Sequence, residues 1–351
     1  MSFRKMALGL LGAIAAFAAA MSGQAQAQSP ILARDDGFFK GRTVQVLIGY
    51  GVGGGYDLYA RLLARHMGKF IPGNPTMVPQ NMVGAGSLKL ANYLYGGAAP
   101  ADGTAFGIVG SGVIFDPIFG GQGADYDSRR FKWIGSMQSF VQIAIAWHTA
   151  PVKSLADAQK YELAVGATGA GSGTNLYPKL LNALFGTKLK IVTGYQGTNE
   201  INLAIERGEV QGSVGWEWAG LVSSKPDWLA DKKIVVWLQL ALKKHPDIPE
   251  VPLVTDLAPT PEAKAILELG LASPLMGRPF MAPPNLPEGR LQVLRTAFDA
   301  MLKDKGFLDE AAKAKLEIIP MSGQEIDALL QKAYASPPAI VEETAKALGY
   351  R

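Results

Sequence analysis

Between residues 43 and 112 a strand runs three times into a glycine-rich turn, and a helix opens out of the first two of those turns. Thr43 to Ile48 mixes β-branched and apolar residues and reads as the first strand. Gly49 to Gly55 is its turn, and Asp57 to Phe70 has helical spacing, with Leu58, Leu62 and Leu63 as apolar positions and His66 further on. Pro75 to Met82 reads as the second strand, followed by Gly84-Ala85-Gly86-Ser87 and a helix through Leu94. Ala105 to Val109 is the third, ending at Gly110-Ser111-Gly112. Strand, turn and helix in this order are how a parallel α/β sheet is written.

The pattern then repeats. Glu162 to Val165 reads as a strand, Thr168 to Gly173 as a glycine-rich turn and Asn175 to Phe185 as a helix. Lys190 to Thr193, Gln211 to Val214 and Ile234 to Leu240 add strands, and Asn199 to Arg207 adds a helix that stops at Gly208. The fold class expected is α/β with two lobes, each a mainly parallel sheet flanked by helices, and a ligand cleft between them. Proline-rich stretches at Pro246 to Pro261 and Pro274 to Pro287 suggest where the chain leaves the second lobe. Residues 40–142 with 272–351 are assigned to lobe 1 and 143–271 to lobe 2. The tail reads as helices: Arg290 to Leu302, Asp309 to Lys315, Gln324 to Tyr334 and Ile340 to Leu348.

The first 27 residues place the chain outside the cytoplasm. Arg4 and Lys5 precede an uncharged run from Met6 to Met21, and Ala25-Gln26-Ala27 has the small-x-small form of a signal-peptidase site, so residues 1–27 read as a signal peptide cleaved after Ala27. The run is shorter than the roughly 20 residues of a membrane span. There is no cysteine, which removes disulfides, thiolate metal sites and cysteine nucleophiles together. Stability must come from packing, and 48% hydrophobic residues can support it. Losing Arg4 and Lys5 lowers the formal charge of +4 by two, too small a surplus to argue for nucleic acid.

Glycine turns at the carboxyl ends of parallel strands leave backbone N–H groups pointing outward on the positive end of a helix, where they cradle anions without a charged side chain. Gly53, Gly54, Gly55, Gly84, Ala85, Gly86 and Ser87 are candidates in one lobe, with Ser111 in the third turn. Thr168, Gly169, Ser172, Gly173 and Thr174 are candidates in the other. The bland alternative is that these glycines only make the turns. Gly49, Gly51 and Gly54 formally match a dinucleotide fingerprint, but no acidic residue lies between Leu58 and Ala101 to hold a ribose. His66, His148 and His245 lack metal-ligand spacing, and no nucleophile elbow appears. Trp216-Glu217-Trp218 is the most unusual local cluster. It reads either as core packing or as a cleft wall with one acceptor.

Taken together these residues resemble a known family. Gly49-Tyr50-Gly51-Val52-Gly53-Gly54-Gly55-Tyr56-Asp57 is similar to the first turn, P-F-x-P-G-G-x-x-D, of the extracytoplasmic receptors of tripartite tricarboxylate transporters (the TctC or Bug proteins). Gln80-Asn81-Met82-Val83-Gly84-Ala85-Gly86-Ser87 resembles their E-N-x-x-G-A-G-G, and Ala99-Pro100-Ala101-Asp102-Gly103-Thr104 their A-x-P-D-G-x-T. Gly169 to Leu176, Tyr195-Gln196-Gly197 and His245-Pro246-Asp247-Ile248-Pro249 continue the likeness to the C-terminal half. Gly51 and Val52 stand where the family has prolines, and Asn175 where it has histidine.

The resemblance implies a two-lobed, type II-like periplasmic binding protein that is monomeric, not an enzyme, and without cofactor or metal. It implies a small organic carboxylate as ligand and the subunits of a membrane permease as partners. Tyr50, Gly53 to Gly55, Asp57 and Gly84 to Ser87 would form the carboxylate end, where backbone amides can do the work of an arginine clamp. Ser172, Thr174, Tyr195 and Glu217 would face them. Two other uses of such a cleft are presenting a ligand to a membrane histidine kinase and exported catalysis.

Overall fold

The structure is a computed structural model and describes residues 37–168, 172–195 and 197–351. The expected signal segment 1–27 and the turn residue Gly169 lie outside the described residues.

The chain opens with β1 (Thr43–Ile48), α1 (Gly55–His66), β2 (Thr76–Asn81), α2 (Leu88–Tyr95), β3 (Ala105–Ile108) and α3 (Ser111–Phe119). After β4 (Lys132–Ser136) come β5 (Gln142–Trp147), α4 (Leu155–Lys160), β6 (Leu163–Gly166) and α5 (Gly173–Phe185). Then follow β7 (Leu189–Val192), α6 (Thr198–Glu206), β8 (Gly212–Glu217), α7 (Trp218–Ser224), α8 (Pro226–Ala230) and β9 (Ile234–Leu240). The C-terminal part holds α9 (Pro261–Gly270), β10 (Pro279–Ala282), α10 (Glu288–Met301), α11 (Lys305–Lys313), β11 (Met321–Ser322), α12 (Gly323–Tyr334) and α13 (Pro338–Leu348).

The strands form two sheets, ordered β11-β4-β10-β3-β1-β2 and β7-β6-β8-β5-β9. β1 pairs parallel with both β2 and β3, and β6 pairs parallel with both β7 and β8. Each sheet also admits one antiparallel strand between parallel neighbours: β10 between β3 and β4, and β5 between β8 and β9. These are the strands by which the chain enters a sheet from the other one. It passes from β4 to β5 through residues 137–141 and returns from β9 to β10 through α9.

The parallel strands were legible because a turn and helix follow them. β4, β5 and β10 went unread because no glycine turn marks them. Their residues, such as the fully buried Phe280 and Ile145, form only short apolar runs. The core is continuous across both sheets, with Trp133 and Phe115 from the first and Val165, Leu181 and Val214 from the second in one cluster. A separate cluster on the far face of the second sheet holds Ile143, Ile201, Trp216 and Trp228. Among the described residues no helix is long and apolar enough to cross a membrane.

α12 begins with a reciprocal cap. Ser322 Oγ accepts from the Glu325 amide at 3.2 Å, and the Glu325 carboxylate accepts from the Ser322 amide at 2.8 Å. Replacing Ser322 with alanine should cost about 1 kcal/mol, read as a lower midpoint in urea with an unchanged slope.

Candidate functional site

The first three turns are fastened to one another at the carboxyl ends of β1, β2 and β3. Tyr50 stacks on Tyr56 with ring centroids 4.3 Å apart, and its hydroxyl donates to the Gly86 carbonyl at 3.1 Å. Ser87 is fully buried, and its Oγ accepts from the Gly110 amide at 2.8 Å. The Ser111 amide donates to Tyr56 Oη at 3.4 Å. Tyr50, Gly86, Ser87 and Ser111 therefore stand together, as a shared site requires. Ala85, Gly86 and Ser87 all have positive φ, at 45°, 63° and 82°. For Ala85 and Ser87 this is a strained backbone, of the kind that persists only where surrounding contacts hold it.

Asp57 is the fastening point of the first turn. It is buried, and both its carboxylate oxygens are engaged. Oδ2 accepts from the Gly53 amide and from Arg61 Nε, each at 2.9 Å, and Oδ1 accepts from Asn81 Nδ2 at 2.9 Å. Asn81 also donates to the Tyr50 carbonyl at 2.8 Å. Burial alone would raise this carboxyl, but the hydrogen bonds from Arg61, Gly53 and Asn81 outweigh it and hold its pKa at about 2. The turn thus keeps Gly53 to Gly55 exposed at the start of α1, whose first-turn amides have no helical acceptor.

In the second sheet the Thr168, Ser172 and Thr174 hydroxyls form one knot. Thr174 Oγ1 lies 3.2 Å from Thr168 Oγ1 and 2.9 Å from Ser172 Oγ, and it accepts from the Thr168 amide at 3.1 Å. Thr174 is buried and shapes the turn from within, while Thr168 and Ser172 are partly exposed. Tyr195 packs against the far-face cluster around Ile201 and Ile205. The Trp-Glu-Trp cluster divides. Trp216 and Trp228 meet edge to face in that cluster at 6.1 Å, and the buried Trp218 donates to Asp247 at 3.4 Å. Glu217 alone remains open, with a third of its side chain exposed.

Arg278, which the sequence reading did not include, joins the two halves. It follows the return from the second sheet and is 8% exposed. Its guanidinium lies 4.2 Å from the centroid of Tyr56 and 4.5 Å from that of Phe140, as cation–π contacts. A Cβ added at Gly55 would stand 2.7 Å from one of its terminal nitrogens, so any larger residue there would push the guanidinium aside. Glu217 Oε2 is 3.8 Å away. A buried guanidinium thus lies between the first turn and Glu217. Its sequence mark is slight, a lone charge ahead of the apolar run Pro279–Ala282. Burial raises the Glu217 carboxyl above its ordinary range; Arg278 draws it back and Glu317 pushes with burial.

The two-sheet fold is similar to that of known structures. The fold is that of a bilobed periplasmic binding protein. A TctC solute-binding protein from Polaromonas, solved without ligand, superposes with a TM-score of 0.66 at 16% identity, covering 86% of this chain and 98% of that one. MatC from Rhodopseudomonas palustris with bound malate gives 0.61 at 20% identity, covering 88% and 100%. A second R. palustris protein, solved with adipate, gives 0.61 at 20%, covering 88% and 98%. No protein-family model and no curated protein matches the sequence. Among the described residues no group of three or more His, Cys, Asp or Glu side chains is placed to hold a metal ion.

Proposed function

We propose that the chain is an extracytoplasmic solute receptor, exported to the periplasm with loss of residues 1–27, that binds a small organic carboxylate between its lobes. It delivers that solute, as a monomer, to the membrane subunits of a tripartite tricarboxylate-type permease. The observation that carries this reading is the set of three fastened turns around Tyr50, Gly86 and Ser111 at the carboxyl ends of β1, β2 and β3. Ligands in open parallel sheets bind outside such strand ends. The likeness to proteins solved with malate and adipate supports a carboxylate.

In this reading lobe 1 is 40–142 with 272–351 and lobe 2 is 143–271. The amides of Gly54, Gly55 and Gly84 to Gly86 hold one carboxylate, with Tyr50 and Ser111 beside them, Gly53 and Asp57 acting through the turn they fasten and Ser87 through its bond to Gly110. Thr168, Ser172, Tyr195 and Glu217 close from the second lobe, with Thr174 acting through the turn it shapes. Closure requires a ligand that binds the closed form better than the open one, and contacts from both lobes supply that difference. Thermal melting of the purified protein against dicarboxylates, amino acids, sugars and inorganic cations tests the reading. A rise of several degrees with a carboxylate or an amino acid, which carries one, is expected by linkage. A shift only with sugars or cations would overturn it.

A further inference from the structure

The fastened turns explain how an anion is held, but not why a buried arginine and a glutamate face each other beside them. Among the described residues the Arg278 guanidinium makes no hydrogen bond; its Nε is buried without an acceptor, and its only ion-pair partner is Glu217 at 3.8 Å. A buried guanidinium left this way is costly, since each unmade bond forfeits the desolvation of its donor.

The acceptors nearby are also unfilled. Gln142 pairs in register with Glu217 across β5 and β8, and its Oε1 is buried without a donor. It faces the start of α5, where a Cβ added at Gly173 would stand 2.7 Å from it. Gln138 is buried on the crossing between β4 and β5, and its Oε1 likewise lacks a donor. A donor without an acceptor thus stands on the lobe 1 side, and an acceptor without a donor, Gln142 Oε1, stands on the residue paired with Glu217.

Charge decides what fills them. Arg278 and Glu217 cancel, and Asp57 is already matched by Arg61. Glu317 adds a negative group close by, contacted by His245 and Gln138. A dicarboxylate would bring two negative charges against Glu217. A molecule bearing a carboxylate and an ammonium would give its anion to Arg278 and the α1 amides, and its cation to Glu217 and Gln142, adding no net charge beside Glu317.

Resting on the receptor reading, we infer that Arg278 and Glu217 form a zwitterion clamp, and that the ligand is an amino acid rather than its deaminated acid.

Calorimetry with matched pairs tests this: aspartate against succinate, glutamate against glutarate, and 2-aminoadipate against adipate. In at least one pair the amino acid should bind ten-fold or more tighter than its partner. Glu217→Gln should reduce that preference to about three-fold or less and leave the deaminated acid unweakened. Arg278→Gln should weaken both members of the pair at least ten-fold, with far-UV circular dichroism confirming that it is folded. If it does not fold, Glu217→Gln and Gln142→Leu carry the test through the amino preference alone. Equal affinity within every pair, or a preference that survives Glu217→Gln, would overturn the clamp while leaving a carboxylate receptor standing. Absence of binding by every member of the panel would overturn both.

Discussion

Replacing Asp57 with alanine should lower stability at neutral pH by about 2–4 kcal/mol and abolish carboxylate binding. The carboxylate accepts from the Gly53 amide, Arg61 and Asn81, so its loss leaves three donors unmatched and frees the turn that exposes Gly53 to Gly55. The same group gives the effect a pH dependence. Its folded pKa of about 2 lies below the ordinary 3.8. The unfolded chain therefore takes up the proton first, and the ionised carboxylate stabilises the fold fully above about pH 4. That contribution is lost as pH falls through 2. With Arg61 partly open to solvent it is on the order of 1–2 kcal/mol. Urea denaturation of wild type and Asp57→Ala should show a gap that is constant from pH 5 to 7 and narrows between pH 4 and 2. A gap independent of pH would mean that the carboxylate's charge contributes nothing and that Asp57 acts by shape alone.

Much of this arrangement was open to a reading of residues. Parallel strands followed by glycine turns and helices carry their own punctuation, and β1 and β9 fall on the expected bounds, Thr43–Ile48 and Ile234–Leu240. The strands that were missed are the shortest or the antiparallel ones, where no local signal tells a sheet strand from a buried connection. Within the site, the turns near Tyr50, Ser87 and Ser111 were legible because glycine density marks backbone that must bend. Which polar residue faces the ligand and which faces the scaffold was not. Asp57 reads as a ligand contact in sequence, yet its oxygens are consumed by Gly53, Arg61 and Asn81, a matter of residues up to 24 positions apart. Arg278 reads as nothing, because its meaning comes from Tyr56, Phe140 and Glu217, which the chain brings to it from both sheets.

Glu217 stands in register with Gln142 and toward Arg278 because β8 carries an extra residue, and removing the freedom of that residue should be strongly damaging. In the β5–β8 ladder Ile143 pairs with Trp216 while Ala144 pairs with Val214, so Gly215 is unpaired, the inserted residue of a bulge. Val214 and Trp216 would otherwise share a face; instead Val214 packs in the core common to both sheets and Trp216 in the far-face cluster. The same shift turns Glu217 to the face of Gln142. Gly215 has φ +90°, and a Cβ there would stand 2.5 Å from the Gly173 carbonyl oxygen at the start of α5. Left-handed strain of about 1–2 kcal/mol and overpacking of about 1–3 kcal/mol together give Gly215→Ala a cost of about 2–5 kcal/mol. Gly186→Ala is the control: it ends the same helix with φ +64° and no atom within 4 Å, so strain alone applies. Chemical denaturation should therefore separate the two variants by at least the overpacking cost. Any Gly215→Ala protein that folds should bind the proposed carboxylate ligand more weakly, since its alanine pushes on the turn of Ser172 and on Glu217 together. Equal destabilisation by the two substitutions would mean that β8 relaxes around a side chain at 215, and that the bulge does not fix where Glu217 points.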